Sequence, residues 1–163
     1  MIAKDLFRNA MARFPSGVTI VTTRDQSGRP RGFTASSFCS VSADPPLVLV
    51  CLADTAECHD AFRDAAQWNI HILDARHSDL AMRFARRGAD KFSGLDFEDD
   101  ARGLPGLKNA SVSLKCSRYD VTPYGDHSLL IGQVEHVEMT GTDPVYYYDR
   151  GFHPARTIPA PVA

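Results

Sequence analysis

Two arms decide the fold: Ser111-Val-Ser-Leu-Lys-Cys-Ser-Arg-Tyr-Asp-Val-Thr-Pro-Tyr124, and after Gly125-Asp126-His127, Ser128-Leu-Leu-Ile-Gly-Gln-Val-Glu-His-Val-Glu-Met-Thr140. Apolar and polar residues alternate with a period of two in both, which predicts two long antiparallel strands around a tight turn at residues 125–127. Upstream, Gly17-Val-Thr-Ile-Val-Thr-Thr-Arg24 is β-branched, and Asp25-Gln-Ser-Gly-Arg-Pro30 has the chemistry to reverse it into residues 31–35 as a hairpin. The Asp44-Pro45-Pro46 corner leads into Leu47-Val-Leu-Val-Cys-Leu52, whose continuous apolarity suits a central strand buried on both faces. Residues 68–73 form a further short strand.

Helical spacing recurs over residues 4–14, over 56–67 behind an Asp54/Glu57 capping box, and after Ser78, where Leu80, Ala81, Phe84 and Ala85 share a face and Arg86-Arg87-Gly88 closes the segment. Six strands with two or three short helices predict a mainly β protein, an antiparallel barrel with helical insertions. No G-x-G-x-x-G follows a strand, so a doubly wound Rossmann sheet is rejected. The 163 residues, 44% hydrophobic and 23% charged, suit one domain over 1–163, with 154–163 a Pro-containing extended tail.

The formal net charge of -2, from 18 Lys+Arg and 20 Asp+Glu, comes with no dense basic stretch, so no nucleic-acid partner is expected. The longest apolar run, 45–52, falls short of the roughly 20 residues of a membrane span, and residues 1–13 lack a signal-peptide core. No membrane association and a cytoplasmic location are therefore expected. Cys39, Cys51, Cys58 and Cys116 form no C-x-x-C pair, and the histidines at 59, 71, 77, 127, 136 and 153 show no ligand spacing, so no metal site is expected.

Several segments recur in a recognisable order: Phe14-Pro-Ser-Gly-Val-Thr-Ile-Val-Thr-Thr23, Gly32-Phe-Thr-Ala-Ser-Ser-Phe38, Ser40-Val-Ser42, Asp44-Pro-Pro-Leu-Val-Leu49, Leu80-Ala-Met-Arg-Phe-Ala85, Asp90-Lys-Phe92, Gly125-Asp-His127 and Tyr148-Asp-Arg-Gly-Phe152. As an ordered set over residues 7–152 they resemble the short-chain flavin reductases. The resemblance implies a six-stranded antiparallel Greek-key split barrel, usually a homodimer. It implies transfer of hydride from NADH or NADPH to FMN or FAD, with the reduced flavin supplied to a separate flavin-dependent monooxygenase.

The resemblance also implies where the cofactors lie. Thr34, Ala35, Ser36 and Ser37, and similarly Ser40, Val41 and Ser42, offer hydroxyls and small side chains to the polar edge of the flavin; as residues alone they equally suit a Ser-rich strand end. Cys51, Leu52, Ala53 and Cys58 belong to the same cofactor set. Thr55 falls at the start of the helix over 56–67, where free N–H groups favour the flavin phosphate. Ala56, Glu57 and Cys58 depart from the family's hydroxyls and basic residue there, and the carboxylate is unfavourable beside a phosphate.

Lys91 is the candidate phosphate partner, or else a solvated lysine. Phe84, Ala85 and Phe92 form an apolar shoulder to the rings, or ordinary core. The resemblance implies that His127 is the nicotinamide-side contact; as a residue alone it equally suits a turn histidine with no role. Arg150, with Gly151 and Phe152, faces either the dinucleotide phosphate or the partner subunit. Arg29, Arg31 and Arg156 are candidates for a 2′-phosphate, and His71 is given no role.

Ring positioning alone suffices for hydride transfer, so no catalytic triad is expected, with Ser37 and Ser42 near the flavin edge that gains negative charge. Three rival readings stand. One is a bound-flavin reductase of another acceptor, a corrinoid or ferric chelate; the second is a non-enzymatic flavin- or haem-binding barrel; the third is an interaction domain without a cofactor.

Overall fold

The computed structural model describes residues 2–94 and 96–155, so Arg156 and the tail from 156 onward lie outside the described residues. In chain order the elements are α1 (Lys4–Met11), β1 (Ser16–Gly17), β2 (Thr19–Arg24), β3 (Pro30–Ala35), β4 (Cys39–Ala43), β5 (Pro46–Ala53), α2 (His59–Asp64) and β6 (Gln67–Ile72). A 3-10 turn (Ala75–His77) then enters α3 (Ser78–Ala85). It is followed by β7 (Phe97–Asp99), β8 (Pro105–Leu107), β9 (Val112–Tyr124), β10 (His127–Met139), β11 (Val145–Tyr148) and β12 (Gly151–Pro154). The protein is mainly β, with three α-helices among the described residues.

The alternation in β9 and β10 produces the longest ladder. His127 pairs with Tyr124, so the turn is the two residues Gly125-Asp126, with Gly125 at φ +63°, and not the three expected; His127 opens β10. Asp25 organises the other hairpin, accepting from the Ser27 and Arg29 amides at 2.9 and 3.0 Å before Thr19 pairs with Ala35.

The principal sheet has seven strands in the order β3-β2-β6-β9-β10-β5-β4, which corrects the expected six. The added strand is β4, whose Cys39 and Ser40 pair with Leu49 and Val48. Its side chains are largely exposed, so it carries no apolar alternation to betray it. The edges β3 and β4 share no ladder, so the sheet is not a closed barrel. It nevertheless curls: Phe33 and Ala35 of β3 share a core cluster with Val48, Val50 and Leu52 of β5, joined by Trp68, Ile70, Leu114 and Leu130.

β5 is not the strand buried on both faces. Its Val48, Val50 and Leu52 point into this core, while Leu49, Cys51 and Ala53 are only half-buried. That role falls to β2, where Val21 joins the first cluster and Ile20 joins a second with Leu73, Leu80, Ala81, Phe84, Leu107 and Val145. Each large side chain so buried contributes about 2 kcal/mol. Gly32 permits the second cluster to close, because a Cβ there would stand 2.7 Å from the Phe84 ring and 2.9 Å from the Val21 carbonyl oxygen.

Helix boundaries differ where side chains found other partners. The Asp54/Glu57 capping box does not form: α2 begins at His59, and the Glu57 carboxylate accepts from the Gly88 amide instead. α3 is entered through the 3-10 turn, which Asp74 caps by accepting from the Arg76 amide at 2.9 Å. Two small sheets, β1-β11-β12 and β7-β8, add to the six strands read from the sequence. Pro154, taken as the first tail residue, ends β12, and the Ala155 amide donates to Pro144. Among the described residues no helix is long and apolar enough to cross a membrane.

Candidate functional site

Where β3 and β5 end beside α3, the side chains stop filling the interior and leave a cavity of about 360 Å3. That is within the usual range of small-molecule pockets, roughly 300–1,000 Å3. Thr34, Ala35, Ser36 and Ser37 line it from the end of β3, and Cys51, Leu52 and Ala53 from β5. Cys58 with Ala56 and Glu57 lines it from the following turn, Phe84 and Ala85 from α3, and Lys91 and His127 complete the wall.

Segments far apart in the chain are held here by specific bonds. Thr34 Oγ1 donates to the Ala81 carbonyl at 2.5 Å, tying β3 to α3. Ser37 Oγ accepts from the Cys51 amide at 2.9 Å, tying the end of β3 to β5. These hydroxyls therefore position the wall, while Ser36 stays exposed at the mouth. Lys91 Nζ donates to the Gly32 carbonyl at 3.1 Å, which fixes its ammonium at the cavity. Burial pushes the Cys58 thiol up, so it is an inert apolar wall group at neutral pH.

His127 Nδ1 lies 2.7 Å from Asp126 Oδ1, and this hydrogen bond holds the Asp126 carboxyl below the usual range. Because the carboxylate accepts at Nδ1, the neutral ring presents Nε2 as an acceptor. Arg86 and Arg87 also line the cavity. Reading them only as the basic end of a helix missed two of the three cations at this site. The signal was their place immediately after Phe84-Ala85.

The remaining candidates lie elsewhere. Ser40, Val41 and Ser42 stand on β4 beyond the cavity lining, with Ser42 opposite Leu47. Thr55 is exposed in a turn four residues before α2, not at a helix start, and its carbonyl accepts from Arg87. Phe92 packs edge-on to Phe84, with ring centroids 5.1 Å apart, and lines an adjoining hollow of about 300 Å3 with Arg29 and Arg31. Arg150 sits in the β11–β12 turn at φ +65° and donates to Asn9 of α1 at 2.7 Å; Gly151 and Phe152 follow in β12, Phe152 against Tyr147. Among the described residues no group of three or more His, Cys, Asp and Glu side chains is placed to hold a metal ion.

A cavity whose wall combines apolar side chains from Phe33, Leu52 and Phe84, backbone and hydroxyl groups along 34–37, and the cations Arg86, Arg87 and Lys91 suits a heteroaromatic ring bearing an anionic tail. The family model of the flavin reductase like domain matches residues 11–156. The chain belongs to this family. A Streptomyces coelicolor protein named actinorhodin polyketide dimerase is 48% identical over 149 residues, 90% of this chain and 84% of that protein. The NADH:riboflavin 5′-phosphate oxidoreductase of Streptomyces pristinaespiralis is 45% identical over 160 residues, 94% and 90% of the two chains. The crystal structure of a nitrilotriacetate monooxygenase component B homologue from Mycobacterium thermoresistibile superposes with a TM-score of 0.88 and 29% identity, covering 98% of this chain and 92% of that one.

Proposed function

We propose that this chain is an NADH:flavin oxidoreductase that reduces FMN or FAD and supplies the reduced flavin to a flavin-dependent monooxygenase component. The observation that carries the reading is the cavity, whose wall combines apolar side chains with Arg86, Arg87 and Lys91 in a member of the flavin reductase family. Flavin, when bound, supplies the ring that accepts hydride from the nicotinamide. The chain's own part is to hold two rings in contact and exclude water between them.

Residues 34–37 and 51–53 hold the ring edge, Phe84 and Ala85 bear on its face, and Lys91 with the two arginines faces the phosphate. His127 Nε2 accepts from the carboxamide of the nicotinamide, a role its Nδ1 bond to Asp126 prepares. The curling of the seven-stranded sheet around one core supports the split-barrel description of the single domain.

A homodimer is part of the proposal. Leu6, Phe7, Met11 and Phe14 leave α1 and its end with exposed apolar side chains, and the Arg150 turn rests on this helix. That surface favours a partner-subunit role for Arg150, Gly151 and Phe152. Four unbridged cysteines suit the reducing cytoplasm.

Steady-state oxidation of NADH and NADPH, with FMN, FAD and riboflavin supplied in turn, tests the reading. Saturable turnover that depends on added flavin is expected, with NADH preferred. Absence of turnover with every flavin contradicts it.

A further inference from the structure

We propose that Glu57 is a resident anion at the phosphate end of the cavity, and that its charge sets how far this chain favours phosphorylated over unphosphorylated flavins. The inference rests on the flavin-binding reading above. Glu57 shares the cavity wall with Arg86, Arg87 and Lys91. Both of its carboxylate oxygens lie 3.1 Å from the Gly88 amide nitrogen, and these are the carboxylate's only hydrogen bonds among the described residues. Arg87 reaches in the opposite direction, donating to the Thr55 carbonyl. The two segments thus clasp each other, each through one side chain on the other's backbone.

A backbone N–H directly after the Arg86-Arg87 pair is what a phosphate oxygen seeks. Here the chain's own carboxylate takes that amide. Gly88, at φ +66°, is the residue whose left-handed turn presents it, and a Cβ there would meet nothing within 4 Å, so the seam is open on that side. Glu57 is exposed and also lines the adjoining 300 Å3 hollow, so its side chain can rotate there without disturbing the core.

A flavin phosphate entering among the cations meets a like charge or must displace it. A negative charge in the same wall is expected to weaken dianion binding about tenfold. Flavin is then held chiefly by its ring and leaves readily once reduced, as suits a flavin handed to another protein.

The substitution Glu57→Gln keeps the size and one acceptor oxygen and removes the charge. FMN and riboflavin are titrated into wild-type protein and E57Q, following quenching of flavin fluorescence. The expected result is an FMN Kd lower by about tenfold in E57Q, with riboflavin changed by no more than about twofold; E57S moves both in the same directions. Riboflavin binding with no selective gain for FMN in either variant overturns this inference and leaves the functional reading standing. No binding of either flavin by wild-type protein or variants overturns both.

Discussion

Two polar clusters flank the sheet, one around the cavity and one beneath the β7–β8 hairpin, and they have opposite fates. Under the hairpin every group is matched. Thr22 Oγ1 donates to the Pro105 carbonyl at 2.5 Å, and Asn69 Nδ2 donates to Asp100 at 3.1 Å and to Pro105 at 3.2 Å. Arg102 closes the set on Asp100 at 3.1 Å and on Asn69 Oδ1. Burial alone raises the Asp100 carboxyl, but the Leu104, Asn69 and Arg102 hydrogen bonds outweigh it and hold it low. Asn69, His71 and Asp100 also line a hollow, of about 280 Å3, but with their polar atoms partnered; at the cavity, by contrast, the Arg86 and Ser36 side chains make no hydrogen bond among the described residues. Polar groups that satisfy one another fasten a fold; polar groups gathered around a void await a ligand.

The sharpest way to break this contrast is Arg102→Ala. It removes the ion-pair partner of Asp100, which keeps its bonds from the Asn69 side chain and the Leu104 amide, and leaves the Asn69 side-chain oxygen without its donor; the loss of stability is expected to be on the order of 3 kcal/mol by urea unfolding, with the KM for FMN unchanged. A raised KM with little lost stability would move the hairpin cluster into the ligand site.

His71 belongs to the same matched cluster, and its effect is next in size. Both ring nitrogens are partnered: Nδ1 lies 2.9 Å from Ser113 Oγ, and Nε2 lies 3.3 Å from Thr22 Oγ1 and 3.4 Å from the Leu107 amide nitrogen. Full burial lowers its pKa to about 4. The unfolded chain then binds the extra proton first, so this contribution is whole above the ordinary histidine value near 6.5 and is lost as pH falls from there toward 4. Asp100, Glu138 and His77 are the charged or titratable groups facing it. The substitution His71→Asn is expected to flatten the thermal-unfolding midpoint between pH 6.5 and 4, an effect on the order of 3 kcal/mol in the native chain. An unchanged acid limb would contradict a buried neutral ring.

On the cavity side, Lys91→Ala is expected to raise the FMN KM about tenfold and riboflavin's far less, with unfolding nearly unmoved. Equal loss for both flavins would make Lys91 a wall residue and blur the contrast. Ser37→Ala is the smallest case: removing the acceptor for the Cys51 amide costs about 1 kcal/mol and shifts flavin affinity a few-fold.

These contrasts also show what was legible in the sequence. Strict alternation exposed β9 and β10, and Asp25 with Gly28 exposed the first hairpin, because each pattern has a local physical cause. β4 was hidden, since an exposed edge strand needs no apolar alternation. The capping box over-promised because Glu57 had a better-placed partner, the Gly88 amide, 31 residues away. At the site, residues 34–37, 51–53, 84–85, 91 and 127 converge on one cavity, whereas 40–42, 55, 92 and 150–152 do not line it. Arg86 and Arg87 went unnoticed because a basic helix end has a sufficient local explanation in the helix dipole. Only the meeting of α3 with β3 reveals what they face.

A crystal structure of the protein with FMN tests the central claim most directly. The flavin ring is expected between residues 34–37, 51–53 and Phe84, with its phosphate among Arg86, Arg87 and Lys91. Flavin seated against Asn69, His71 and Asp100, or on any surface away from that cavity, would contradict it.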